Sequence, residues 1–304
     1  MAALITIGTD SEIFAKDRNG RAISLCGKVG GTKTEPKPLG KLGRGFFIQE
    51  DNVSVEFNIP PAQGVDYWDK YIELALKEVS SILESMSLYF SNDAAISFDK
   101  DQLMHPNALV FGCEPDYNAW TKMENSKPTC NDPALRTAGG HIHVGTRGNM
   151  IKCMEKMDLY LGVPSVIIDS SPSSHLRRQL YGKAGAMRPK PYGFEYRVLS
   201  NFWIFEQGLR YWVYNNTRLA VEKEDVSLTQ SQSRKIQDCI NHGDVGMAHE
   251  LIKSFEIPMP TNNIKDVINS PKASRAKSIQ DILMGYHMAP IEVLLDEIST
   301  QNNG

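Results

Sequence analysis

The sequence predicts an α+β fold, a mainly antiparallel sheet with helices packed on its outer face. Three observations point there. Short stretches of alternating polarity, bounded by Gly, Asn and Asp, recur through the first two thirds of the chain. Long stretches of helical period are mixed among them, without the strict strand–helix alternation of a parallel sheet. The segment Asp17-Arg18-Asn19-Gly20 carries a hairpin turn between two of the early strands.

In chain order, residues 3–8 form an apolar strand that ends in a Gly-Thr-Asp turn, and 12–15 form a second strand. Residues 27–45 are rich in glycine, lysine and proline and are expected to be a mobile loop. Residues 45–49 and 52–58 are strands. In the latter Val53, Val55 and Phe57 alternate with Ser54, Glu56 and Asn58, which puts Glu56 opposite the core face. Residues 65–90 carry the first long helical pattern, from Tyr67 and Trp68 through Val79 to Met86. Strands are expected at 94–98 and 108–112, an irregular polar segment at 117–133, and a strand between glycines at 139–145. Residues 150–168 are helical with a break at Pro164, 170–190 a loop loaded with arginines, 192–199 a strand and 204–223 a helix. Helical stretches at 231–255 and 277–299, joined by a segment containing Pro258, Pro260 and Pro271, close the chain.

Composition narrows the function. The 304 residues are 41% hydrophobic and 23% charged, which fits a globular chain and excludes disordered and fibrous classes. With 33 basic and 36 acidic residues the net charge is −3, so neither a nucleic-acid coat nor a polybasic membrane binder is expected. The N-terminal MAALITIGTDSEIF lacks the basic region of a signal peptide, and no apolar run is long enough for a bilayer span. Five cysteines (Cys26, Cys113, Cys130, Cys153, Cys239), none in a CxxC pair, favour a reducing cytoplasm over a disulfide or thiolate-zinc framework.

Four polar clusters fall on predicted strands: Asp10-Ser11-Glu12, Glu50-Asp51 with Glu56, His141-Ile142-His143, and Glu195-Tyr196-Arg197. Side chains two apart in a strand share a face. Taken singly each cluster has a plain explanation: DSE caps a helix or turn, a lone glutamate in an alternating strand faces water, and paired histidines or an EYR strand can be exposed. Together they crowd acids onto one face, where they repel and where burial adds to the cost. A divalent cation relieves both, and an oxygen-rich set with one or two imidazoles suits Mg²⁺ or Mn²⁺ better than zinc. Two basic segments accompany the clusters: Lys28, Lys33, Lys37, Lys41 and Arg44 on the glycine-rich loop, and Arg177, Arg178, Lys183, Arg188 and Lys190 before the EYR strand. Guanidinium forks fit phosphate and carboxylate oxygens. Neither a GxxxxGK[ST] nor a GxGxxG motif is present, so the common P-loop and Rossmann sites are unsupported.

The blocks GTDSEIF, GGTKTEPKPL, QEDNVSVEFNIPPA, GGHIHVG and RRQLYGKAGAMRPKPYGFEYR resemble the phage-type COOH–NH2 ligases, the phiEco32-like amidoligases of the glutamine synthetase and glutamate–cysteine ligase superfamily. The resemblance spans residues 4–222. It implies a curved antiparallel sheet of glutamine synthetase-like type that binds ATP and two or three Mg²⁺ or Mn²⁺ ions. It places Asp10, Glu12, Glu56, His141 and Glu195 as metal ligands, with Gln49, Glu50 and Asp51 competing to supply one more. It places His143 near ATP and Arg197 on the transferred phosphate. Arg177, Arg178 and Arg188 correspond to arginines that hold phosphate or the carboxylate substrate, and Lys28 to a nucleotide contact.

The expected reaction follows from chemistry as well. A carboxylate is a poor acyl donor because oxide would have to leave, and phosphorylation by ATP converts the leaving group to phosphate. An amine then attacks to give an amide, with Asp51 or Glu50 as the proton acceptor. Expected partners are therefore a carboxylate and an amine, on small molecules or on a peptide or protein, and an oligomer is compatible with the sequence. The alternatives are a guanidino-kinase-like phosphotransferase and a non-catalytic binding or virion-associated protein on the same fold. Residues 1–224 are expected to form the catalytic domain and 225–304 a helical extension packed on it. The expected location is the cytoplasm, the host's if phage-encoded.

Overall fold

The protein was analysed as a computed structural model, which describes residues 5–109, 116–126, 130–223 and 226–260. The helix expected at 277–299 and Cys113 lie outside the described residues. The described residues form thirteen strands: β1 (Thr6–Lys16), β2 (Ala22–Ile23), β3 (Lys37–Pro38), β4 (Phe47–Asp51), β5 (Ser54–Asn58), β6 (Tyr89–Ser91), β7 (Ala95–Ser97), β8 (Tyr117–Asn118), β9 (Met123–Glu124), β10 (Leu135–Thr137), β11 (Gly140–Gly145), β12 (Ala186–Lys190) and β13 (Gly193–Tyr196). The helices are α1 (Val65–Ser85), α2 (Met150–Met157), α3 (Val163–Ile168), α4 (Pro172–Leu180), α5 (Gln207–Glu222), α6 (Gln230–His242) and α7 (Val245–Ser254).

The main sheet runs β3-β4-β5-β1-β11-β13-β12-β8-β9, with β2 and β6 pairing with the far end of β1. All of its ladders are antiparallel. The expected α+β class with a mainly antiparallel sheet is thus what the chain adopts. Period two decides which face is apolar. Ile7, Ile13, Val55, Phe57, Ile142, Val144, Phe194 and Tyr196 point into one core with residues of α1, α2, α3 and α5. The intervening residues Asp10, Glu12, Glu56, His141, His143 and Glu195 point to the other face. Trp68 of α1 stacks on Trp203 at 5.3 Å, and the buried Asp69–Arg210 pair, 2.5 Å apart, ties α1 to α5.

Several elements differ from the expectation. The Gly-Thr-Asp turn does not form, and β1 runs unbroken because Gly8, Thr9 and Asp10 are paired on both sides or in register with β11. The first helix ends at Ser85, since Ser87 takes a left-handed φ of 58° and the chain turns into β6. Pro106–Leu109 is a 3₁₀ turn where a strand was expected to start, and 117–133 contains the small β8–β9 hairpin. The break in 150–168 comes earlier than Pro164, at a π turn over Asp158–Gly162. The arginine-rich segment is no loop: Ser171 caps α4, Pro172 opens it, and Arg188 lies on β12. The lysine-rich segment is pinned, with the Glu50 carboxylate accepting from the backbone N–H groups of Gly27, Val29 and Gly30 at 2.7, 2.9 and 2.5 Å. The 231–255 stretch is two helices, broken where Gly243 adopts φ 67°. Both pack into the same core as the sheet through Ile236, Cys239, Ile240, Ala248 and Leu251.

Candidate functional site

The candidate site is a row of side chains across β12, β13, β11, β1, β5 and β4. Register assembles it. Arg188 lies opposite Glu195, Glu195 opposite His143, Asp10 opposite His141, and Glu12 opposite Glu56, which faces Gln49 in turn. Residues distant in sequence thus become cross-strand neighbours. The paired glycines before the histidines are required by close approach. A Cβ on Gly139 would collide with the His141 ring, and one on Gly140 would come within 2.5 Å of the Ser200 carbonyl. The Gly139 N–H also donates to Glu12 Oε2 at 2.6 Å.

Among the described residues two groups of potential ligands emerge. In one, atoms of Asp10, His143 and Glu195 lie within 4.8 Å of one another; in the other, so do atoms of Glu12, Asp51 and Glu56. The first group is largely charge-compensated. His143 Nε2 is 2.9 Å from Asp10 Oδ2, and Lys190 Nζ and Arg188 Nη1 are 3.0 and 3.4 Å from Glu195 Oε2. Arg197 pairs with Glu195 Oε1. His141 Nδ1 lies 3.3 Å from Asp10 and 3.6 Å from Glu195, so both histidines border this group, although His143 supplies the converging atom. Burial would raise the Asp10 carboxyl, but His143 and His141 hold it well below the usual range. Burial and the Asp10 charge oppose ionisation of Glu195, yet Arg197 and the histidines hold it at about 2. His141 is lowered by burial and by Arg197, whereas His143 is raised by Asp10 against the effect of burial.

The second group is different. Burial, then the Asp51 charge, pushes Glu12 up to about 8. Burial, then Asp10, Asp51 and Glu12, pushes Glu56 well above the carboxylate range. Gln49 Nε2 donates to Glu56 Oε1 at 2.8 Å, which orients that carboxyl without neutralising it. Three crowded acids, two of which (Glu12 and Glu56) hold their protons tightly, are a donor set that a hard divalent cation fits, because the cation offsets both burial and repulsion.

Glu12, Asp51, His141 and Arg197 also line a cleft with about 680 Å³ of space, open solvent included, whose lining also takes in Asp116, Arg177 and Tyr181. Arg177 is 3% exposed; its Nη1 donates to the Val198 carbonyl at 2.8 Å, while Nε has no hydrogen-bond partner. Burial lowers this guanidinium to about 10, and Glu12 opposes that.

Of the residues singled out by sequence, the structure brings together Asp10, Glu12, Asp51, Glu56, His141, His143, Glu195, Arg188, Arg197 and Arg177. It does not bring three others there. Arg178 donates to the Asp169 and Ser165 carbonyls at 2.9 and 2.8 Å and clamps the end of α3. Lys28 Nζ donates to the Ser24 carbonyl, and the Glu50 carboxylate is taken up by the loop described above. Sequence reasoning missed Tyr192, whose hydroxyl bonds His143 Nδ1 and whose ring stacks on the imidazole, leaving Nε2 to face Asp10. It also missed Asp116, 3.6 Å from Arg197 Nε. Neither falls in a period-two pair, and no local pattern marks them.

Comparison with known proteins gives one family match, to the phage phiEco32-like COOH.NH2 ligase-type 2 family, over residues 134–264. The match includes β11, α4, β12, β13 and the helices α6 and α7; the acidic strands β1, β4 and β5 precede it. Over the residues it covers it bears out the resemblance drawn from the sequence, and it extends beyond residue 222, where that resemblance ended. No curated protein matches the chain. Among solved structures, the chain is similar to a bifunctional glutathione synthetase from Pasteurella multocida, at 9% identity and a TM-score of 0.40, covering 92% of this chain and 51% of that one. It is also similar to GmaS in an ADP complex, at 11% identity and a TM-score of 0.36, covering 95% and 72%. The chain therefore spans about half the length of the glutathione synthetase. Among the described residues no helix is long and apolar enough to cross a membrane.

Proposed function

We propose that this protein is an ATP- and Mg²⁺-dependent carboxylate–amine ligase that forms an amide bond through an acyl phosphate. The observation that carries the reading is the convergence of Glu12, Asp51 and Glu56, the first two on the wall of a cleft that also presents Arg177 and Arg197. Mg²⁺ or Mn²⁺, when bound, would supply charge neutralisation for the phosphates of ATP. Glu12, Asp51 and Glu56 would hold one such ion, and Asp10, His143 and Glu195 another. Asp51 is thereby the residue that takes the position contested by Gln49, Glu50 and Asp51.

The roles of the remaining residues follow from where they point. Arg197, held by Glu195 and Asp116, presents a fixed guanidinium at the cleft for the transferred phosphoryl group. Arg188 and Lys190 steady Glu195 from the neighbouring strand. Arg177 is buried, and its Nη1 and Nη2 donate to the Val198 and Arg197 carbonyls, which leave its positive charge for the carboxylate substrate. ATP phosphorylates that carboxylate, and the amine displaces phosphate from the resulting acyl phosphate. The proton released by the amine passes to an acid on the cleft wall, Asp51 or Asp116; Glu50 faces elsewhere. Screening carboxylate and amine pairs for release of ADP and phosphate, with mass spectrometry of the product, tests the reading. An amide formed with equal ADP and phosphate supports it. A stable phosphorylated product without free phosphate would identify a phosphotransferase.

A further inference from the structure

Beneath the sheet, on the face away from the site, lies a carboxylate that the proposed chemistry does not use. Asp158 is fully buried at the first position of the π turn that interrupts the helix after Met157. A π turn inside a helix redirects a side chain that regular geometry would place elsewhere. Here it aims Asp158 at the underside of the sheet. Asp158 Oδ1 accepts from the Tyr196 hydroxyl at 3.0 Å, and Oδ2 accepts from Trp120 Nε1 and from the Gly185 N–H, both at 2.6 Å.

Those three donors belong to three neighbouring pieces of the sheet. Tyr196 sits on β13 between Glu195 and Arg197, and points away from both because alternate side chains oppose. Gly185 leads into β12, which brings Arg188 and Lys190 onto Glu195. Trp120 follows β8, the next strand in the sheet. Space at the contact is fitted to it: a Cβ on Gly162 would meet the Tyr196 hydroxyl at 3.0 Å, and one on Gly185 would meet the Trp120 ring at 2.6 Å. A buried carboxylate with only uncharged donors is expensive for stability alone. Burial raises it to about 7.

We propose that Asp158 is a positioning residue, which through Tyr196, Gly185 and Trp120 fixes strands β13, β12 and β8 relative to one another and so sets Glu195 and Arg197 in the site above. The inference rests on the reading of the Asp10–His143–Glu195 face as a divalent-cation site. Removing the Tyr196 hydroxyl leaves every ligand and its charge in place, and changes only how β13 is held.

The test compares the full-length wild type with Tyr196→Phe, Trp120→Phe and Asp158→Asn. Mn²⁺ affinity is read by electron paramagnetic resonance below the melting temperature, and melting is recorded separately. The expected result is about a tenfold loss of Mn²⁺ affinity in folded Tyr196→Phe, of the size seen when supports of metal ligands are removed. A merely structural role would lower the melting temperature and leave the affinity of the folded protein unchanged, which overturns the proposal. Should Tyr196→Phe or Asp158→Asn fail to fold, Trp120→Phe, which removes one donor at a half-buried position, carries the same expectation and the same refutation. Wild type that binds no Mn²⁺ overturns both this proposal and the cation reading; wild type that binds it as tightly as all folded variants do overturns this proposal alone.

Discussion

Glu12→Gln will flatten the pH dependence of stability of the metal-free protein. In the wild type, burial and the Asp51 charge push the Glu12 carboxyl from 4.5 to about 8. Between those values the folded state binds more protons than the unfolded state, so stability falls as pH rises through the window. The gap corresponds to roughly 5 kcal/mol at about 1.36 kcal/mol per pH unit. Glu12 keeps partial contact with solvent, and screening reduces this to about 2–3 kcal/mol. For a chain of 304 residues, at about 2.1 cal/mol/K of unfolding entropy per residue, that is a melting shift of about 4 °C. The glutamine amide oxygen can still accept from the Gly139 N–H, so the backbone contact survives. His143, raised by Asp10 against burial, and Asp158, raised by burial to about 7, lose stability in the same direction as pH rises, but do so in both proteins. The quantity to measure by calorimetry in EDTA is therefore the difference between wild type and variant at pH 5 and pH 8. Wild type should lose about 4 °C more than Glu12→Gln over that range, and Mg²⁺ at pH 8 should restore wild type more than the variant. Equal losses in the two proteins would mean that Glu12 does not hold its proton in the folded state.

Three further outcomes follow from the same geometry. Tyr192→Phe removes the hydroxyl that fixes His143 through Nδ1 and should weaken Mn²⁺ binding about 10- to 100-fold by calorimetry, with little change in melting. Gly139→Ala drives a methyl group into the His141 ring; it should cost about 1–3 kcal/mol in denaturant unfolding and weaken nucleotide binding as well. Asp69→Asn breaks the buried pair with Arg210 between α1 and α5 and should cost about 3–5 kcal/mol of stability, while metal-dependent nucleotide affinity of the folded protein, measured by calorimetry, stays unchanged.

Much of the site was legible because strand periodicity is simple. In DSE, HIH and EYR the spacing of two is enough to put paired polar side chains on one face, and Glu56 follows from the alternation of Val55 and Phe57. The choice among Gln49, Glu50 and Asp51 was open because parity within β4 separates Glu50 from its neighbours, but only register says which set faces Glu56. Once Gln49 is opposite Glu56, Asp51 joins Glu12 and Glu50 turns to the glycine-rich loop. Arg178 and Arg177 are adjacent in sequence and go to different places, because neighbours on a helix point about 100° apart. Missing α4 hid that distinction: its polar sequence PSSHLRRQL concealed a helix that Ser171 and Pro172 begin. Tyr192, Asp116 and Asp158 act through tertiary contacts across 49, 81 and 38 residues, and such contacts leave no local pattern.

The most direct measurement of the central claim is calorimetric titration of ATP into wild type and Glu56→Gln, with and without Mg²⁺ or Mn²⁺. Gln keeps an oxygen to accept from Gln49 and removes only the ionisable group that burial and its neighbours oppose. The expected result is ATP binding that requires the divalent ion and is weakened at least about tenfold in the variant. ATP binding indifferent to both the ion and the substitution, or no binding with any divalent ion, would contradict it.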